Sequence, residues 1–164
     1  MKIGKALSEK KAAQNKLARL ITVRSQVFLH DKGKKPDMTV EELEREIAAT
    51  TKTIRNLKLR IVYTNCHTRL ENKMTLQEAI IELGDIRSEL NAHNTLLSVQ
   101  AEPEDEGYGF RRQPIRDRVA QVTKKDLLAK IEGLEGQKYE LDALIAKANN
   151  TVDLVNHLPR AGRS

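Results

Sequence analysis

The sequence predicts an all-α fold: two long antiparallel helical hairpins, related by an internal repeat, forming an elongated four-helix, coiled-coil-like bundle with an irregular loop before the last helix. Three observations carry this. Apolar residues recur at spacings of three and four over many turns. Aromatic residues make up 3% of the 164 residues and Trp is absent. The two halves of the chain match one another in register. Hydrophobic residues reach only 39% and charged residues 32%, against typical values of about 45–50% and about 25%. Such a balance argues against a thick core, a β-sandwich or an aromatic-lined cofactor pocket. It favours long helices that each bury a narrow stripe.

Helix 1 is expected over residues 3–29, with Ile3, Ala6, Leu7, Ala13, Leu17, Leu20, Ile21, Val27 and Phe28 inward. Gly33 and Pro36 end it in a loop. Helix 2 begins at Thr39, which forms a capping box with Glu42: the hydroxyl accepts from the third amide and the carboxylate reaches back. Its run Leu43, Ile47, Thr50, Ile54, Leu57, Ile61, Thr64 and Thr68 keeps an unbroken 4-3-4-3 spacing, the pattern of a coiled-coil seam. A turn at Glu71-Asn72-Lys73 leads to helix 3 over residues 75–98, with Leu76, Ala79, Ile80, Leu83, Ile86, Leu90 and Leu97 inward, and His93 or Asn94 on the same stripe.

The irregular segment 100–122 carries an acidic run followed by Tyr108, Phe110, Arg111, Arg112, Arg116 and Arg118. Alternation at its end permits a short strand over residues 118–122. Helix 4 follows Thr123, which with Asp126 offers a second cap. Leu127, Ile131, Leu134, Lys138, Leu141, Ile145, Ala148, Val152 and Val155 repeat the seam, and Pro159 ends it. Gly133 and Gly136 imply a close approach of backbones or a bend, because each costs about 1 kcal/mol relative to Ala within a helix.

Shifted by 73, Met1, Ile3, Ala6, Leu7, Glu9 and Leu17 meet Met74, Leu76, Ala79, Ile80, Glu82 and Leu90. Shifted by 84, Thr39, Leu43, Ile47, Leu57, Ile61 and Asn65 meet Thr123, Leu127, Ile131, Leu141, Ile145 and Asn149. The domain expected is a single helical one over 1–158, with hairpin repeats over about 1–70 and 74–158 and a disordered tail over 159–164. A hairpin cannot bury its own stripe alone, so two would stack about a pseudo-twofold axis. Arg69 then matches Asp153, and the ends of helices 2 and 4 are expected to be neighbours, with those two side chains able to pair.

Asn65, Thr68, Asn149, Arg69 and Asp153 form the candidate polar seam or ligand site. Buried polar residues on a seam fix register, and the same groups could hold a small ligand or water. The loop residues Tyr108, Phe110, Arg111, Arg112, Arg116 and Arg118 form a candidate interaction loop. Two aromatics beside four arginines could stack on bases and meet phosphates, although the acidic run beside them would repel a polyanion. No histidine pair has metal-ligand spacing, and Cys66 and His67 are neighbours that point about 100° apart on a helix. No catalytic residue, metal or cofactor is expected.

Net charge is +6, but residues 1–73 hold 17 Lys/Arg against 8 Asp/Glu, while residues 74–164 hold 12 against 15. A basic half suggests an anionic partner, and equally two halves or subunits that complement each other. The apolar runs fall short of the ~20 residues that span a bilayer. The N-terminal residues carry charge where a signal peptide is apolar. A cytoplasmic location is therefore expected.

Met1-Lys2-Ile3 with Ala6-Leu7, Arg60-Ile61, Thr64-Asn65 and Thr68, Leu76 with Ala79, Arg112, Ile115-Arg116, Leu141-Asp142, Ile145, Asn149 and Asp153-Leu154 together resemble a family of small bacterial proteins labelled septicolysin-like. Asn150 and the acidic stretch depart from its pattern. The resemblance implies an all-helical, oligomeric protein, and the family label implies cytolysis. The expected function is a non-enzymatic structural or protein-interaction module that self-associates as a homo-oligomer. The alternatives are nucleic-acid binding through the basic half and the arginine loop, and cytolysin-like membrane activity.

Overall fold

The computed structural model describes residues 1–29, 37–101 and 120–158. They hold four helices: α1 (Ile3–Phe28), α2 (Val40–His67), α3 (Leu76–Ala101) and α4 (Lys124–Thr151). α1 packs on α2 and α3 on α4 as two hairpins, which is the all-α architecture expected. Contacts cluster into two compact units, one of Met1–Gln77 with Ala146–Ser164 and one of Glu78–Ile145.

The first unit contains the α1/α2 hairpin. Thr39 caps α2 in the expected way. Its hydroxyl accepts from the Glu42 amide at 3.2 Å, while the Glu42 carboxylate accepts from the Thr39 amide at 2.8 Å. The hydrogen bonds that this carboxylate accepts from the Thr39 amide and, at 3.1 Å, from the Thr39 hydroxyl hold it below its ordinary pKa. Along α2, Leu43, Thr50, Ile54, Leu57, Ile61 and Thr64 are buried and Ile47 and Thr68 half-buried, so the 4-3 spacing read from sequence is the packed seam. Leu57 and Ile61 pack with Ala6 and Leu154, and Leu7 borders the cluster. Lys16–Glu46 (3.0 Å) and Arg24–Glu44 (3.8 Å) cross the hairpin.

In the second unit Leu83, Ile86 and Leu90 of α3 and Leu127, Ile131 and Leu141 of α4 are buried. Arg87 donates to Asp142 at 2.9 Å across the hairpin. His93 lies on the α3 stripe and is half-buried, with Nδ1 unpartnered. Thr123 caps α4, accepting from the Asp126 amide at 3.1 Å.

Several sequence expectations need correction. Ile21, Ile80 and Phe28, read as inward, are exposed, because each lies beside the stripe and not on its centre line. α4 ends at Thr151, before Pro159, because residues 152–154 leave the helix to form a bridge. Residues 120–122 form no strand; Arg118 and Val119, like the rest of the segment 102–119 and the tail 159–164, lie outside the described residues.

The two helical glycines do not mark a close approach. A Cβ at Gly133 or at Gly136 would meet nothing within 4 Å. Replacing either by Ala is therefore expected to stabilise the protein, by about 0.8–1 kcal/mol each from helix propensity. Urea melts of the two variants check this, and a loss of stability would reveal a contact at that position.

Candidate functional site

The repeat is visible atom by atom where helices meet the segments that flank them. The Ile3 amide donates to the Val152 carbonyl at 3.1 Å and the Leu154 amide to the Met1 carbonyl at 2.7 Å. Shifted along the repeat, the Leu76 amide donates to the Thr68 carbonyl at 2.9 Å and the Leu70 amide to the Met74 carbonyl at 2.8 Å. Lys2 thus pairs with Asp153, and Thr75 with Arg69, as two isolated antiparallel bridges of the same construction. Each bridge joins the residues entering one helix to those leaving another. The first closes the start of α1 onto the end of α4. The second is a tight turn in which Lys73 takes φ 69° and Asn72 Oδ1 accepts from the Met74 amide at 3.2 Å.

At the first bridge Lys2 Nζ donates to the Asp153 carboxylate at 2.8 Å and to the Thr151 carbonyl at 2.7 Å. The amino group of Met1 lies 3.5 Å from the same carboxylate. The Lys2 hydrogen bond is the main reason that the Asp153 pKa lies below its ordinary value. Gly4 allows the close packing behind this bridge, since a Cβ there would lie 3.1 Å from the Asn149 carbonyl oxygen. Because the folded pKa of Asp153 is depressed, its contribution to stability is present above the unfolded value and is lost as pH falls through the folded one. Asp153→Asn is expected to lower the melting temperature at neutral pH. The gap to the parent protein should close as the solution is acidified, and a gap independent of pH would contradict the pairing.

The residues expected to form one polar seam have separate roles. Asn65 is buried, 6% exposed, and its Oδ1 has no hydrogen-bond partner. Asn149 is half-buried and faces Gly4 through its carbonyl. Thr68 turns its hydroxyl back to the Thr64 carbonyl at 2.8 Å. Arg69 and Asp153, expected to pair with each other, are engaged elsewhere. The cations acting on Asp153 are Lys2 and the amino group of Met1, while Arg69 donates to the Lys73 carbonyl at 3.0 Å. Positions related by a twofold repeat take equivalent partners and need not take each other. The loop residues Tyr108, Phe110, Arg111, Arg112, Arg116 and Arg118 lie outside the described residues.

The ends of α2 and α4 are nevertheless tied, through residues the sequence did not single out as a group. Lys147 pairs with Glu71. The Arg60 Nε donates to the Val155 carbonyl at 2.7 Å, and the Val155 amide donates to the Thr64 hydroxyl at 3.2 Å. The Thr64 hydroxyl in turn donates a hydrogen bond to the Arg60 carbonyl at 2.8 Å. One turn of α2 therefore holds both polar backbone groups of Val155. The repeat has Leu144 and Ala148 at the equivalent positions of α4, which cannot do this. Beside this clasp lies a cleft of about 400 Å³ lined by Asn56, Arg60, Asn156, His157 and Leu158. Only the asymmetry of the repeat at Arg60 and Thr64 could have pointed to it in advance.

Fold and site together define an all-α protein of two repeated hairpins, closed by twin backbone bridges. Residues 10–154 match the model of a family described as a family of unknown function, DUF6847. The chain belongs to that family. A crystal structure of a functionally unknown conserved protein from Corynebacterium diphtheriae is similar to it, with a TM-score of 0.83 and 22% identity, over 94% of this chain and 99% of that one. At that identity the likeness shows the fold. No curated protein matches the chain. The family match replaces the septicolysin-like assignment. The residues that suggested it are chiefly seam and bridge positions, whose types recur wherever long helices pack at 4-3 spacing. Among the described residues no helix is long and apolar enough to cross a membrane.

Proposed function

We propose that the protein is a non-enzymatic, cytoplasmic interaction module that assembles with copies of itself. The observation that carries this is the incomplete burial of α1. Of its 26 residues only Ile3 and Ala6, in the first turn, are buried. Its stripe of Ala13, Leu17, Leu20 and Val27 is half-buried against α2. Ile21 and Val23 are exposed, and Phe28 and Leu29 at the tip are 72% and 81% exposed. A helix of this length gains most of its stability from burying an apolar face, and α2 covers one side of it. A second copy would cover the other.

Lys16 and Arg24 pair with Glu46 and Glu44 within the α1/α2 hairpin, which leaves these two cations less available to a polyanion. Sedimentation equilibrium at micromolar concentration is expected to give a defined oligomer. Phe28→Glu with Leu29→Glu is expected to dissociate it while leaving the helical signal intact. A monomeric parent protein under these conditions overturns the reading.

A further inference from the structure

We infer that the cleft beside the Val155 clasp binds a small oxyanion, a carboxylate or a phosphate group, with Arg60 as its anchor. The cleft lies wholly within the first compact unit, between α2 and the segment that follows α4. Asn56 and Arg60 are four residues apart on α2 and so share one face. Asn156, His157 and Leu158 form the opposite wall. Among the described residues no carboxylate lines the cleft. The nearest one in sequence, Asp153, is held by Lys2.

The clasp gives Arg60 a geometry that a surface arginine lacks. Its Nε is bound to the Val155 carbonyl at 2.7 Å, in a half-buried setting. That bond fixes the guanidinium plane and leaves the two terminal nitrogens as a pre-oriented fork. Among the described residues they make no other hydrogen bond. A fork of this kind matches two oxygens of a carboxylate or phosphate, and fixing it beforehand removes part of the ordering cost of binding. The carboxamides of Asn56 and Asn156 supply further donors, and the His157 ring one more. The backbone amides of Asn156, His157 and Leu158 make no hydrogen bond among the described residues. A cleft of about 400 Å³ falls in the size range of small-molecule sites. The clasp uses only the Nε–H of Arg60, and the equivalent position of the repeat is Leu144, so the terminal nitrogens have no counterpart in the other hairpin.

The test is an NMR titration of uniformly 15N-labelled full-length protein with inorganic phosphate and, in a separate arm, acetate. Ionic strength is held constant with chloride. Saturable millimolar shifts are expected at the Arg60 Nε–H and at the amides of 156–158. The arm that saturates at lower concentration identifies the preferred anion. Asn56→Asp puts a carboxylate in the cleft without touching the clasp, and is expected to weaken binding at least tenfold while the Val155 amide resonance stays in place. Linear, unsaturated shifts in both arms overturn the site, as do saturable shifts that are the same in Asn56→Asp. These outcomes are independent of whether the protein self-associates.

Discussion

Ile3→Ala and Leu76→Ala are each expected to destabilise the protein by about 3–5 kcal/mol, at the upper end of the range for truncating a buried aliphatic side chain. Ile3 is 1% exposed and Leu76 0%. They are the same position in the two repeats. The amide of each is a donor in a backbone bridge, Ile3 to Val152 and Leu76 to Thr68. That tethering is why the upper end applies. A cavity costs least where the chain can settle into it, and here the backbone is held on the far side by a neighbouring segment. Total stabilities of about 5–15 kcal/mol make such a loss a large share of the whole. Urea denaturation gives the measurement. Leu59→Ala and Ile81→Ala, at exposed positions, serve as controls and should stay within about 0.5 kcal/mol of the parent. Equal effects at all four sites would mean that the bridges are not where the core is concentrated.

Thr64→Val is the second substitution of large effect. It keeps the shape of the side chain and removes one oxygen. That oxygen accepts from the Val155 amide at 3.2 Å, in a half-buried setting. Leaving the amide without a partner is expected to cost about 1–3 kcal/mol. Arg60→Ala removes the other half of the clasp, the bond from Nε to the Val155 carbonyl. A hydrogen bond from a charged donor contributes about 1.5–3 kcal/mol, and the aliphatic stem of Arg60 adds packing. The two substitutions act on one residue, so the double variant should lose less than the sum of the singles. Hydrogen exchange at Val155 separates this local release from global unfolding: it should rise in each single variant. Unchanged protection at Val155 in Thr64→Val would remove the clasp as a stabilising element.

The helical seams were legible because burial follows spacing. Every position of the α2 run from Leu43 to Thr68 is buried or half-buried, and both Thr caps form from local sequence alone. Neighbouring positions were less legible. Ile21 and Ile80 are apolar and adjacent to a stripe, yet one step of about 100° turns them to water. Gly133 and Gly136 looked like contact points, whereas the close approach is at Gly4, early in α1. Composition cannot tell a glycine that admits a neighbour from one that faces open space. The clasp was illegible for a different reason. Arg60 and Val155 are 95 residues apart, and a basic residue on a helix reads as solvated until a carbonyl is brought to it. The repeat did contain part of the answer, since Arg60 and Thr64 break its pattern.

The twin bridges have one geometry and two histories. Arg69 and Thr75 are six residues apart, so their bridge can close as soon as that stretch of chain exists. Lys2 and Asp153 are separated by 151 residues. Closing the longer loop costs about 3 kcal/mol more in chain entropy, and it must wait until the residues around Asp153 have been synthesised. Loop entropy therefore favours the short bridge early in folding and the long one later. Until then the N-terminal turn of α1, which holds the only two residues that helix buries, has no Val152 carbonyl to dock on. A ribosome-bound chain that still lacks residues 152–154 would therefore carry an open α1 start, accessible to other binders at that moment.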